Sequence, residues 1–157
     1  MEFAFGYNKQ KVIQALRLHF IARKEIKAMI IIVNLFVLVA AILFYTKKIR
    51  PEPFLLGTFI WLLMLVAIWY ILPYSIYKKT STFKDNFTIW INENSIRLEN
   101  QKGYVTWQWN MFSSYFESPN FFHLYFNEKS FFLLPKESID ENVISDLKNL
   151  LINKFKK

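Results

Sequence analysis

Two histidines, two adjacent serines and four acids on or beside the C-terminal strands are the residues of this 157-residue chain whose types could support acid–base, nucleophilic or metal chemistry. Catalysis needs a nucleophile within reach of a base, or a titratable pair. His19 lies alone in a basic N-terminal segment, and His123 alternates with Phe122 and Leu124 in a strand-like run. That alternation predicts an outward side chain, so His123 is expected to be an ordinary surface residue. Ser113 and Ser114 have no glycine on either side and therefore no nucleophile elbow. Asp85, Glu93, Glu99 and Glu117 lack metal-ligand spacing and are expected to be solvated charges. The only glycines are Gly6, Gly57 and Gly103, which excludes a glycine-rich phosphate loop. Without cysteine there is no thiolate nucleophile, disulfide or thiolate metal ligand. The chain is expected to be no enzyme and to need no cofactor or metal.

Three further groups suggest binding. Trp107 and Trp109 fall on one face of an alternating run. They are expected to fill a domain interior or, if that side is open, to form an aromatic site for a peptide or lipid tail. Arg23, Lys24, Lys27, Lys78 and Lys79 flank two apolar runs and are the expected contacts to anionic lipid headgroups, each worth about 1 kcal/mol. Asn34 sits near the middle of the first run and is expected to join one helix to another.

The elements that would position these groups begin with the apolar runs, Ala28 to Thr46 and Pro53 to Tyr77, split by the basic tip Lys47, Lys48, Ile49, Arg50, Pro51, Glu52. At about 1.5 Å per residue the stretch from 28 to 45 reaches about 27 Å, close to the thickness of a bilayer core. A transmembrane helical hairpin over residues 28–77 is therefore expected, with spans at 28–46 and 54–72 and a tip at 47–53. A basic segment precedes the first run and a second span follows it, so no removed leader is expected. Lys9, Lys11, Arg17, Arg23, Lys24 and Lys27 before the first span, with Lys78, Lys79 and Lys84 after the second, place both termini in the cytoplasm. The expected location is the cell membrane, crossed twice.

Charge separates the halves. Residues 1–79 hold eleven basic and three acidic side chains, whereas 80–157 hold nine of each, so the whole net charge of +8 flanks the spans. A nucleic-acid binder would carry its basic stripe on the globular part, and none is expected here.

Residues 1–27 read as a strand, with Phe3, Phe5 and Tyr7 alternating, followed by a basic amphipathic helix capped at Asn8 with Val12, Leu16 and Phe20 on one face. The strand is expected to pair with a sheet formed after residue 80, because an isolated strand is unstable in water. From residue 80 the period is two. Strands are predicted at 87–91, 96–98, 104–109, 111–117, 121–126 and 130–134, joined by short turns. Ser138 and Glu141 form a capping-box signature before a helix whose stripe is Ile139, Val143, Ile144, Leu147, Leu150 and Leu151. The expected fold is an α+β membrane protein: the hairpin plus a small antiparallel β-roll or partial barrel over 80–157, closed by the C-terminal helix.

Phe-Thr-Ile-Trp-Ile at 87–91, Tyr-Val-Thr-Trp at 104–107 and Phe-Phe-Leu-Leu-Pro-Lys at 131–136, in this order of elements, resemble the YcxB-like proteins of bacteria. That family usually has an acid two residues after the tryptophan, where this chain has Trp109 and then Asn110. The resemblance implies a cytoplasmic part similar to a pleckstrin-homology domain and brings no catalytic residues. The expected function is that of a non-enzymatic integral membrane protein displaying a module for a protein, peptide or lipid headgroup. The alternative is a protective or transporter-accessory protein, conferring tolerance to membrane-active peptides, in which the hairpin is the working part. Homo-oligomerisation is compatible with either.

Overall fold

The computed structural model describes residues 1–156 and divides into two compact units, one of Met1–Ala15 with the residues from Thr80 onward, the other Leu16–Lys79. The first unit holds two antiparallel sheets and a helix. Strands β1 (Glu2–Phe5), β2 (Phe87–Ile91), β3 (Ser95–Asn100) and β4 (Gly103–Gln108) form one sheet in that spatial order. Strands β5 (Ser114–Glu117), β6 (Phe121–Tyr125) and β7 (Phe131–Pro135) form the other.

Strand β1 lies antiparallel to β2 with Phe3 opposite Ile89 and Phe5 opposite Phe87. Period-two patterning drives this arrangement: Phe5, Phe87, Ile89, Ile91, Ile96 and Leu98 are buried on one face of the first sheet. They meet Phe122, Leu124, Phe132 and Leu134 of the second sheet in a single cluster. Leu147 and Leu151 of the C-terminal helix (Glu141–Phe155) are buried in the same cluster. The helix starts at Glu141 with Asp140 in the cap position, and no side chain caps it. The expected Ser138 capping box is therefore not formed. Ile139 N–H instead reaches Lys136 O at 3.1 Å, holding residues 136–139 in a turn of their own.

Most strand boundaries differ from the sequence reading by one or two residues, and the junction of β4 and β5 by more. Strand β4 stops at Gln108, and Trp109–Met111 form a 3-10 turn, so β5 begins only at Ser114. At the break the indole Nε1–H of Trp109 donates to Asn92 O at 2.9 Å, tying the 3-10 turn to the turn between β2 and β3.

Helix α1 (Lys9–Ala22) crosses the division between the units. It starts where Asn8 Oδ1 accepts the N–H groups of Gln10 and Lys11, at 3.0 and 3.3 Å. The second unit continues with α2 (Lys24–Tyr45) and α3 (Pro51–Val66), then a π-turn over Ala67–Ile71 and α4 (Leu72–Lys79). Helix α2 and the continuous stretch Pro51–Lys79 are both long and apolar enough to span a membrane. In this pair Ala40 of α2 and Gly57 of α3 are buried, and Gly57 packs against Phe36 and Val37 of α2, its lack of a side chain allowing the close approach. A Cβ on Gly57 would come within 2.9 Å of the Phe36 ring. Near the tip Phe44 stacks on Phe54 at 5.6 Å. Lys47 takes a left-handed conformation (φ 56°) and Lys48 N–H returns to Leu43 O at 2.9 Å, which ends α2. Asn34 does not join the two helices. Its Nδ2 donates to Ile30 O of its own helix at 2.7 Å from an exposed position, since an amide in a helix finds the carbonyl one turn back before it finds a neighbour.

Candidate functional site

In the first unit a polar groove of about 890 Å³ lies between the end of β1 (Ala4–Gly6), the approach to β2 (Lys84–Thr88) and the β3–β4 turn (Glu99–Lys102). The chain end of β1 and the turn of the hairpin are brought together only by sheet pairing. Asp85 is held by Lys102, whose Nζ lies 2.9 and 2.7 Å from its two carboxylate oxygens, and Asn100 Nδ2 adds a contact at 3.4 Å. Asn86 packs so closely on Gly6 that a Cβ there would lie 2.5 Å from Asn86 Oδ1. Gly103 has φ 143°, a conformation that favours glycine, and it closes the turn. The groove carries Lys84 and Lys102 against Asp85 and Glu99, so its formal charge balances. It can hydrogen-bond a polar group, and its charge draws neither anions nor cations in particular.

Asp85 and Glu117 are not the solvated charges expected from sequence. Glu117 on β5 accepts from Lys136 Nζ at 2.7 Å and from Lys148 Nζ of the C-terminal helix at 2.9 Å. Its hydrogen bonds to Lys136 and then Lys148 hold the carboxyl below the ordinary 4.5, while Lys148 is raised chiefly by its hydrogen bond to Glu117. A lowered acid contributes stability above its ordinary pKa and loses it as pH falls through the lowered value. Glu117→Gln is therefore expected to lower stability by about 1 kcal/mol at neutral pH. It should also flatten the part of the acid limb below about pH 4.5 that Glu117 supplies. Denaturant titrations of wild type and variant from pH 7 to pH 3 measure both. Equal acid limbs would remove Glu117 from the account.

His123 is fully buried, in contrast to the expected surface position. Its Nε2 lies 3.0 Å from Ser118 Oγ, and its ring packs on Phe116, Tyr125 and Phe131. The alternation is as read, with Phe122 and Leu124 on the opposite face, but that second face is covered as well. Phe121 and Leu133 beside His123 are buried, Tyr7 stacks on Phe121, and the Tyr7 hydroxyl donates to Leu133 O at 2.7 Å. Lys11 pairs with Glu137 at 2.8 Å, and Gln14 lies within hydrogen-bond reach of Asn120, so the first turns of α1 sit at the ends of these strands. Ser113 and Ser114 are exposed, with Ser113 Oγ donating to Tyr125 O at 3.1 Å. Among the described residues no group of three histidine or acidic side chains could hold a metal ion.

Trp109 is buried, and Trp107 is half-buried against Phe112, Phe126 and Phe132, so both rings contribute to the interior. They do not share a strand face, because Trp109 lies in the 3-10 turn. In the second unit Arg23 Nε lies 3.5 Å from Glu25, while Lys24, Lys27, Lys78 and Lys79 are exposed. The first turn of α2 and the last turn of α4 carry these residues at the end of the helix pair away from its tip.

Sequence reasoning missed Arg17. Pro73 brings no N–H to the carbonyl four residues before it, that of Trp69. Arg17 Nε donates to that oxygen at 2.9 Å, and its guanidinium lies over the Trp69 ring at 5.0 Å and the Tyr70 ring at 5.5 Å. A proline after an aromatic pair was the available signal. His19, buried on the same helix, is pushed down to about 4 by burial and by the nearby Arg23 charge, so it is neutral at pH 7.

In comparison with known proteins, residues 91–151 match the model of the YcxB-like protein family. No curated protein and no solved structure matches the chain. The matched segment contains the Tyr104–Trp107 and Phe131–Lys136 motifs and only the last residue of the Phe87–Ile91 strand. The segment that matches the family model therefore runs from the end of β2, through β3 to β7, into the C-terminal helix.

Proposed function

We propose that the chain is a non-enzymatic integral membrane protein whose first unit is a pleckstrin-homology-like module, binding a protein, a peptide or a lipid headgroup through the polar groove. Helix α2 and the Pro51–Lys79 stretch cross the bilayer as a hairpin, with both termini cytoplasmic. The observation that carries the membrane reading is exposure: only 6% and 11% of the two apolar windows are buried, far too little for core helices of a water-soluble protein. A four-stranded sheet, a three-stranded sheet and a final helix packed on both support the module reading. Fold alone does not select the ligand, and the balanced charge of the groove favours a polar group held by hydrogen bonds.

Two experiments test this. The chain lacks cysteine, so single cysteines at Asn8, Lys48 and Asn153 report topology directly. An impermeant thiol reagent on intact cells should label only position 48. Labelling at 8 or 153 with none at 48 would reverse the orientation. Photo-crosslinking of the full-length protein in native membranes should capture a partner that is lost in the Lys84→Glu, Asn86→Ala double variant. Capture unchanged by those substitutions but abolished by changes in the hairpin would make the hairpin the working part.

A further inference from the structure

Strand β4 forms an open edge of the first sheet. Trp109 N–H reaches Asn94 O at 3.4 Å, so the hydrogen-bonded pairs of the β3–β4 ladder are those in step with it, Ile96 with Trp107 and Leu98 with Val105. The N–H and C=O groups of Tyr104, Thr106 and Gln108 consequently point away from β3, and no other strand pairs with β4 among the described residues. The other sheet edges are guarded. Strand β1 carries Glu2, β5 carries Glu117, and β7 ends at Pro135 with Lys136 following. Strand β4, Gly-Tyr-Val-Thr-Trp-Gln, has neither charge nor proline. Apart from the half-buried Trp107 its side chains are exposed: Tyr104 is 70% exposed, with the Arg97 guanidinium of β3 over its ring at 4.5 Å, and Val105 is 39% exposed although it pairs with Leu98 on the core-facing side. Such an edge is a template for another strand.

From this edge we infer that β4 joins antiparallel to β4 of a second copy of this chain, with Thr106 opposite Thr106, making one eight-stranded sheet. Absence of charge lets identical strands meet without like-charge repulsion. In this register the outward groups of Tyr104, Thr106 and Gln108 find partners, giving about six new backbone hydrogen bonds. Val105 comes opposite Trp107 of the second copy on the core-facing side, a β-branched–aromatic pair that covers the exposed valine. Tyr104 faces Gln108 on the other side. The contact is two-fold and uses both free edges, so association stops at two. It is independent of what fills the polar groove.

The test uses the full-length protein in nanodiscs and in native membranes. An antiparallel hydrogen-bonded pair has Cα atoms about 5.5 Å apart, within disulfide range. Thr106→Cys should form a disulfide-linked dimer under mild oxidation at least tenfold more readily than Tyr104→Cys or Gln108→Cys alone. Mixing the latter two should restore crosslinking. Thr106→Pro takes away an outward N–H on an edge strand, so it should give a folded monomer by mass whose melting temperature, unlike that of the wild type, does not depend on protein concentration. If that variant does not fold, the cysteine arm decides. A wild-type monomer in nanodiscs would overturn the inference, as would equal crosslinking at 104, 106 and 108. Preferential crosslinking of Thr106→Cys to a different protein in native membranes would also overturn it, making the edge a site for a foreign strand.

Discussion

Phe5→Ala is expected to destabilise the first unit by about 3–5 kcal/mol, and deletion of residues 1–7 to prevent it from folding. Phe5 is buried, stacked on Phe87 at 5.7 Å, and its ring also contacts Tyr7 and Phe132. It therefore links β1 to both sheets. Removing the strand would also strip β2 of its neighbour, including the contact of Ile91 N–H to Met1 O at 2.8 Å, and would lay a flat apolar strand open to aggregation. Denaturant unfolding followed by tryptophan fluorescence measures the effect, because Trp107 and Trp109 lie in the same core. Ala4→Ser, at an exposed position of the same strand, is the control and should change stability by less than about 0.5 kcal/mol. A midpoint unmoved by Phe5→Ala would mean that β1 is dispensable. One practical consequence is that a fragment starting at residue 80 lacks a strand of its own sheet, so binding tests belong on the whole chain.

His123→Ala is expected to lower stability by about 2–4 kcal/mol, through the cavity it leaves and the hydrogen bond it removes. The Ser118 hydroxyl lies 3.0 Å from both Phe121 O and His123 Nε2, so one buried hydroxyl joins the turn to the imidazole. The histidine thus clips the turn between β5 and β6 from inside the protein. His123→Gln, which keeps a hydrogen-bonding group on a shorter and more flexible side chain, should recover part of the loss. Thermal unfolding of the three forms measures this. Ser113→Ala and Ser114→Ala should stay within about 0.5 kcal/mol of wild type, since both side chains are exposed. Any binding activity should fall with His123→Ala only as far as folded protein is lost. A variant that stays fully folded and yet loses a measured activity would give His123 a chemical role.

Local pattern made much of this protein legible. Two long apolar runs with a basic break, the cap at Asn8, the alternating strands and the striped final helix each depend on neighbours a few residues apart, and backbone geometry converts such spacing into one face or another. That β1 would join the sheet formed after residue 80 was legible because an isolated aromatic strand has to find a sheet, whereas its partner, β2, was decided by the fold. What lay beyond the sequence was cover and partnership between distant segments. Parity placed His123 opposite Phe122 and Leu124 correctly, but whether that second face met water depended on Tyr7 and the start of α1, more than a hundred residues away. Glu117 looked like a lone acid until folding set Lys136 and Lys148 beside it. Asp85, Asn86 and Lys102 became one wall of a groove only through sheet register. Trp109 left its strand for a 3-10 turn in which its indole N–H meets the carbonyl of Asn92, a partner seventeen residues back that two-residue periodicity does not reveal. Periodicity is a property of the chain and determines which way a side chain points, whereas burial and charge pairing belong to the contacts between segments, and only the tertiary structure decided them.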